Sequence, residues 1–160
     1  MSTAAITWNT PRNWLILAVF LAVVIGMGSL IGISTAPGEW FASLDKPPFN
    51  PPSWLFAPVW TFLYVLIAIA GWRTFLRDPG GPAMKLWAGQ MVLNWVWSPV
   101  FFTLHWLWPA GVVILAILAL ILAFIARSWR EDRVAAWLFV PYAAWVGFAS
   151  ILNLTIAIMN

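Results

Sequence analysis

The chain has 160 residues, of which 63% are hydrophobic and 8% are charged, and its formal net charge is +3. Soluble domains are roughly 45–50% apolar and about 25% charged, so this composition excludes an ordinary water-soluble domain. The basic residues are dispersed beside apolar segments, which argues against a nucleic-acid-binding protein. Cysteine is absent, which excludes a disulfide framework and a cysteine metal site.

Five apolar stretches along the chain are long enough to span the hydrocarbon core of a bilayer, which takes about 20 helical residues. They lack the alternation of barrel strands, and helices satisfy every backbone polar group within lipid. The sequence therefore predicts an all-α integral membrane protein, a bundle of five transmembrane helices that forms a single domain over residues 1–160. The predicted helices are residues 14–35, 54–76, 83–107, 110–126 and 134–159.

The first predicted helix is too long for a typical signal-peptide core, so we interpret it as retained in the mature protein. It contains the small-residue spacing Gly28–Gly32, which allows close packing within the chain or in a homodimer. The following connection, residues 37–53, has prolines at positions 47, 48, 51 and 52. These prolines favour an extended or turning path and block helix formation.

The second, third and fifth predicted helices carry aromatic and polar side chains at helical spacing. The three sets are Trp60, Tyr64 and Ala68; Trp87, Gln90, Asn94, Trp97 and Phe101; and Tyr142, Trp145, Ala149 and Asn153. Amide side chains are costly in lipid, so Asn94 and Asn153 should face the bundle interior. They can join helices by hydrogen bonds, or they can line an apolar pocket for a flat ligand together with the aromatic residues.

The third and fourth predicted helices are joined by a short hairpin, residues 105–109, and should be antiparallel neighbours. The fourth predicted helix contributes only apolar side chains for packing. His105, the single histidine, lies at a helix end. We interpret it as an interfacial residue rather than a haem ligand. No residue cluster predicts a metal site, and no cofactor is expected.

Basic residues mark the two sides of the predicted bundle. All of them except Lys46 lie on one side: Arg12, Arg73, Arg77, Lys85, Arg127, Arg130 and Arg133. The positive-inside rule then places the N-terminus in the cytoplasm and the Pro-rich loop outside, and favours a bacterial inner membrane. An outer-membrane location would weaken this inference. Arg73 and Lys85 lie near helix ends and can snorkel, so no central charge supports a charge-coupled transporter.

Several motifs, in order along nearly the whole chain, resemble those of one known family. They are Glu39-Trp40-Phe41, Lys46-Pro47, Asn50-Pro51-Pro52-Ser53-Trp54, Pro58-Val59-Trp60, Leu63-Tyr64, Gly89-Gln90, Asn94-Trp95-Val96-Trp97-Ser98-Pro99, Phe101-Phe102, Pro141-Tyr142-Ala143-Ala144-Trp145, Phe148-Ala149 and Leu152-Asn153. This series resembles the translocator protein family (TspO/MBR, or tryptophan-rich sensory proteins), related to the peripheral benzodiazepine receptor. The chain looks like a bacterial member.

The resemblance implies a membrane receptor or sensor that binds protoporphyrin IX or a related tetrapyrrole, haem or a sterol-like ligand within the bundle. It also implies membrane lipid as the surroundings, and a homodimer. The ligand positions that it implies are Trp54, Trp60, Tyr64, Asn94, Trp97, Phe102, Tyr142, Trp145, Phe148 and Ala149. Two alternatives remain. One is a light-dependent porphyrin-degrading enzyme, for which Trp60 and Trp145 are the implied residues, and the other is a porphyrin or sterol transporter.

The C-terminal segment departs from the family's sterol-recognition pattern. That pattern has a Tyr after the Leu-Asn pair and a basic residue beyond it. Here Leu152-Asn153 is followed by Leu154 and the chain continues to Asn160 without either residue. The sequence therefore gives no support for sterol recognition through this segment, whose motif is a weak one even when intact.

Overall fold

In the computed structural model, which describes residues 8–160, the chain forms five long helices and one short one. They are α1 (Pro11–Ser34), α2 (Glu39–Ser43), α3 (Phe56–Arg77), α4 (Pro82–Ser98), α5 (Leu107–Glu131) and α6 (Arg133–Met159). A 3₁₀ turn, Ser53–Leu55, precedes α3, and a π-helical turn, Pro99–Thr103, continues α4. The predicted all-α membrane bundle is confirmed. Residues 1–7 of the predicted domain lie outside the described residues.

Among the described residues, four helices are long and apolar enough to cross a membrane by themselves: α1, α3 with its 3₁₀ turn, α5 and α6. The remaining long helix, α4, has 17 residues and gains length from the π turn of five residues that follows it. Pro99 has no N–H for the carbonyl four residues earlier, which accounts for the change of helical geometry at that point. The chain is an integral, multi-pass membrane protein.

Two predicted boundaries around the α4–α5 hairpin were wrong. The predicted third helix ended at residue 107, but the helical path ends at Thr103. His105 has a φ of 59°, a left-handed conformation that a helix cannot continue through. The fourth was predicted over 110–126, whereas α5 covers Leu107–Glu131. Pro109 is tolerated because it lies in the first turn of α5, where its missing N–H has no helical partner to lose.

The loop between α1 and α3 contains a helix that the sequence did not predict. α2 covers Glu39–Ser43, and the backbone N–H of Ala42 donates to the carbonyl of Gly38 at 3.1 Å. Apart from Pro37, which precedes α2, the prolines of the loop begin at Pro47, beyond the end of α2. Proline content therefore predicted the extended second half of the loop but gave no information about its first half.

Close packing joins the helices on one side of the bundle. Gly71 of α3 leaves room for the indole of Trp87, and the Trp87 Nε1–H donates to the Ile67 carbonyl at 2.9 Å. Phe124 of α5 and Phe139 of α6 pack with ring centroids 4.1 Å apart. By contrast, the buried residues of α1 are only Val24 and Gly28. α1 packs mainly against α3, and most of its remaining side chains are exposed or half-buried.

Asp132 organises the basic end of the bundle. Its carboxylate accepts two hydrogen bonds from Arg73, at 2.9 and 3.0 Å, and one from Arg77 at 3.0 Å. It also caps α6 by accepting from the backbone N–H groups of Val134 and Ala135. Arg73 therefore forms an ion pair with Asp132 near the end of α3, where the sequence placed it.

Burial raises the pKa of Asp132, but the hydrogen bond and the charge of Arg73, with further bonds from Arg77 and the backbone N–H of Ala135, more than offset this effect. The net result is that the pKa of Asp132 lies below its usual value. The carboxylate is therefore ionised at neutral pH, and it ties α3 to the α5–α6 junction through paired charges.

Candidate ligand-binding cavity

A cavity of about 590 Å³ lies among the five long helices. Side chains from α1, α3, α4, α5 and α6 line it, together with residues of the loop between α1 and α3. Small-molecule sites in proteins have volumes of about 300–1,000 Å³ and mostly apolar walls. The volume lies within this range, and the lining is largely apolar and aromatic.

Seven of the ten ligand positions that the resemblance implies line this cavity: Trp60, Tyr64, Asn94, Trp97, Phe102, Trp145 and Ala149. The other three do not. Trp54 is 71% exposed, Tyr142 is completely buried, and Phe148 packs edge-to-face against Phe49 with centroids 6.4 Å apart. Tyr142 lies behind the wall, where it contacts Trp60 at a centroid distance of 6.2 Å.

The sequence did not identify the part of the wall that α1 supplies. Gly28, Ser29 and Gly32 line the cavity, whereas α1 was expected to serve close packing. Both roles occur on this helix, because Gly28 lies directly against the Tyr64 ring while Gly32 has no neighbouring atom within 4 Å of the place where a Cβ would stand. The Gly28–Gly32 spacing was the available signal, since small residues leave space as readily as they allow contact.

A chain of hydrogen bonds runs behind the wall through α3, α4 and α6. The Tyr64 hydroxyl donates to Asn94 Oδ1 at 3.2 Å, and Asn94 Nδ2 donates to the Tyr142 oxygen at 2.9 Å. The Tyr142 hydroxyl donates to Gln90 Oε1 at 2.9 Å, and Gln90 Nε2 donates to the Trp87 carbonyl at 2.9 Å. Gln90 and Tyr142 have no exposed surface, so the bonds satisfy polar groups that would otherwise be costly to bury.

The second predicted asparagine, Asn153, joins three helices. Its Oδ1 accepts from the Trp97 indole N–H at 3.1 Å, and its Nδ2 donates to the Leu107 carbonyl at 3.0 Å. Both asparagines are buried, as predicted. A further contact between helices pairs the hydroxyls of Thr35 and Ser98 at 2.6 Å. These bonds hold the aromatic rings of the wall in defined positions.

The loop between α1 and α3 covers one end of the cavity, where Phe41, Asn50 and Pro51 are among the lining residues. Trp40 of α2 stacks on His105 with centroids 3.9 Å apart and planes 16° from parallel. His105 is exposed and lies in the hairpin between Thr103 and Leu107.

The C-terminal residue also holds this loop. Asn160 Oδ1 accepts from the Asp45 backbone N–H, and its Nδ2 donates to the Asp45 carbonyl, both at 3.0 Å. Contacts to the α4–α5 hairpin and to the end of α6 therefore hold the loop over the cavity from two directions.

Two buried polar atoms of lining residues have no hydrogen-bond partner within residues 8–160, Asn50 Oδ1 and Trp95 Nε1. Over the same residues, no group of three or more His, Asp or Glu side chains could hold a metal ion. The chemistry that the described residues offer is stacking on aromatic rings and a small number of hydrogen bonds. Such a site can bind and orient a conjugated molecule.

Comparison with known proteins identifies relatives over almost the full length. The TspO/MBR family profile matches residues 8–159. The tryptophan-rich sensory protein of Cereibacter sphaeroides is 34% identical over 141 residues, which cover 88% of this chain and 89% of that protein. The translocator protein of Ovis aries is 37% identical over 148 residues, with 85% of each chain covered. The tryptophan-rich protein TspO of Chlorobaculum tepidum is 35% identical over 155 residues, with 88% of this chain and 95% of that protein covered.

Proposed function

Because the chain belongs to the TspO/MBR family, we propose that it is a membrane receptor or sensor that binds a porphyrin, or a similar flat tetrapyrrole, inside the bundle. The observation that carries the proposal is the aromatic cavity of about 590 Å³. Its walls include Trp60, Trp97 and Trp145, which come from three different helices. A planar conjugated ring stacks favourably on such faces, and the apolar lining replaces water at its surface.

Asn94 would supply a polar contact to the ligand, because it lines the cavity and its amide orientation is held by Tyr142 and Tyr64. The loop would act as a lid. Prolines restrict the unfolded conformations of its second half, so little entropy is lost when it is ordered over a ligand. Trp54 and Phe148 would contact a ligand only if the loop or α6 adjusted, and Tyr142 would act indirectly through Asn94.

The direct test is titration of the detergent-solubilised protein with protoporphyrin IX, followed by tryptophan fluorescence. Saturable quenching, with an affinity for protoporphyrin IX that falls at least about tenfold in Trp97→Ala, would support the site. Quenching unchanged in Trp97→Ala and in Asn94→Ala would place the ligand elsewhere. Trp137→Ala is a matched control, because Trp137 is 60% exposed and does not line the cavity.

A second candidate function is light-dependent oxidation of the bound porphyrin, with dissolved dioxygen as the oxidant. The presence of both Trp60 and Trp145 in the cavity lining favours it, since a redox-active indole must lie close to the excited ring. Irradiation of the complex, with the porphyrin absorption band recorded over time, distinguishes the two candidates. Bleaching no faster than for free porphyrin in detergent would exclude catalysis, and bleaching slowed by Trp60→Phe and Trp145→Phe would support it.

Transport of the ligand is a third candidate, suggested by the name translocator protein borne by the sheep relative. The test is porphyrin flux across liposomes with and without the protein.

We further propose that the protein is a homodimer in the bacterial inner membrane with its N-terminus in the cytoplasm. Membership of the family supports the dimer, and the basic residues of one end support the orientation. Chemical cross-linking in membranes tests the dimer.

A further inference from the structure

The hydrogen bonds behind the cavity wall all run in one direction. The Trp87 carbonyl can only accept, so the nitrogen of Gln90 faces it and the oxygen of Gln90 faces Tyr142. Tyr142 has one hydroxyl proton and donates it to Gln90. The Tyr142 oxygen can therefore only accept from its other partner, and Asn94 presents its nitrogen there, at 2.9 Å.

The same constraint passes on to the cavity wall. Because the nitrogen of Asn94 faces Tyr142, its oxygen faces Tyr64 and accepts the Tyr64 proton at 3.2 Å. Tyr64 lines the cavity, whereas Tyr142 and Gln90 do not. With its only proton committed to Asn94, the Tyr64 hydroxyl can offer a ligand in the cavity only a hydrogen-bond acceptor.

We propose that Gln90 determines ligand specificity without touching the ligand. By orienting Tyr142 and Asn94, it makes Tyr64 an acceptor and so selects flat aromatic molecules that carry an O–H or N–H donor at the edge that meets Tyr64. This rests on the proposed function, in that the cavity is the ligand site. Gln90 is a positioning residue, and its effect is on the choice between ligands rather than on binding in general.

Loss of the Gln90 oxygen should reverse the direction of these hydrogen bonds. A buried hydroxyl without a partner is costly, so Tyr142 would donate to Asn94 instead. The amide of Asn94 would then turn over and present its nitrogen to Tyr64. That change frees the Tyr64 proton for the cavity and removes the preference for donor ligands.

The test uses 1-hydroxypyrene and 1-methoxypyrene, two flat fluorescent probes that differ by one O–H donor. Affinities are measured by quenching of tryptophan emission for the wild type, Gln90→Met and Tyr142→Phe, with Ser150→Ala as control. Ser150 is buried on α6 and its hydroxyl bonds only to its own helix, at Val146. A protoporphyrin IX titration is run on every sample, and circular dichroism checks that each variant folds.

The wild type should bind 1-hydroxypyrene about 2- to 12-fold more tightly than 1-methoxypyrene, which is the affinity ratio expected from one net hydrogen bond. The ratio should fall to about one in Gln90→Met. It should also fall in Tyr142→Phe, where no partner fixes the Asn94 amide, while Ser150→Ala retains it. If Gln90→Met does not fold, Tyr142→Phe interrupts the same series of hydrogen bonds between Gln90 and Asn94. A steric effect of the methyl group would leave the ratio unchanged in both variants.

Equal affinities in the wild type, or a ratio that both variants retain, would overturn the inference. If protoporphyrin IX still binds in that case, the proposed function survives and only the role of Gln90 is lost. If neither pyrene nor protoporphyrin IX binds, the proposed function is wrong as well.

Discussion

The indole N–H of Trp97 donates a hydrogen bond to the side-chain oxygen of Asn153, and this contact ties the wall of the cavity in α4 to the core of α6. Asn153 uses its amide nitrogen at the same time for the Leu107 carbonyl at the start of α5. One buried amide therefore sets the relative positions of three helices and of one cavity-lining ring.

Replacement of Asn153 by Ala should lower the free energy of unfolding by about 1–3 kcal/mol, because it leaves the Trp97 N–H without a partner and removes the bond to the Leu107 carbonyl. Unfolding in mixed detergent, followed by circular dichroism, measures the change. Thr155→Ala is the control, since the Thr155 hydroxyl bonds only to Ile151 of its own helix. Equal losses in the two variants would show that the contact between helices contributes nothing beyond local effects.

Gly28→Val should destabilise the bundle by about 1–3 kcal/mol, because its side chain would overlap the Tyr64 ring. Displacement of Tyr64 should also weaken porphyrin binding. Gly26→Val on the same helix has open space at the Cβ position, so it should leave both properties unchanged. Thermal unfolding and porphyrin titration measure the two effects. An unaffected Gly28→Val protein would mean that α1 is not packed on α3 as described.

Stability should fall in acid through Asp132. Its pKa is lowered in the folded state, so the ionised carboxylate contributes stability above its unfolded pKa of about 4 and loses that contribution as pH falls through the folded pKa. The free energy of unfolding should therefore decrease below about pH 4. Asp132→Asn should be less stable at neutral pH and less dependent on acid, whereas Asp45→Asn, at an exposed position, should follow the wild type. Parallel pH profiles of the wild type and Asp132→Asn would contradict the paired carboxylate.

The absence of cysteine allows a direct test of orientation with single cysteines. Ser43→Cys in the loop and Gly80→Cys between α3 and α4 are both at exposed positions, at opposite ends of the bundle. In intact bacterial cells with a permeabilised outer membrane, a membrane-impermeant maleimide should label only Ser43→Cys. Labelling of Gly80→Cys alone would reverse the proposed orientation, and the positive-inside assignment would be wrong.

Apolar runs and helical spacing were enough to predict the bundle and the inward positions of Asn94 and Asn153, because lipid leaves helices as the simplest backbone solution and makes buried amides seek partners. They did not predict α2, since five residues are too short for a periodic signal. They also missed the part of the cavity wall that α1 supplies, because residue spacing along one helix does not reveal which of its residues border an internal space. Tyr142 was predicted to touch the ligand, yet periodicity cannot distinguish a wall residue from one packed directly behind it.

The central claim is that a porphyrin binds in the cavity bounded by Trp60, Trp97 and Trp145. The measurement that tests it most directly is the protoporphyrin IX dissociation constant of the wild type beside Trp97→Ala, Asn94→Ala and the exposed control Trp137→Ala. The account predicts saturable binding to the wild type and the control, and affinities at least about tenfold weaker in the two cavity variants, which corresponds to about 1.4 kcal/mol. Wild-type affinity in both cavity variants would contradict it.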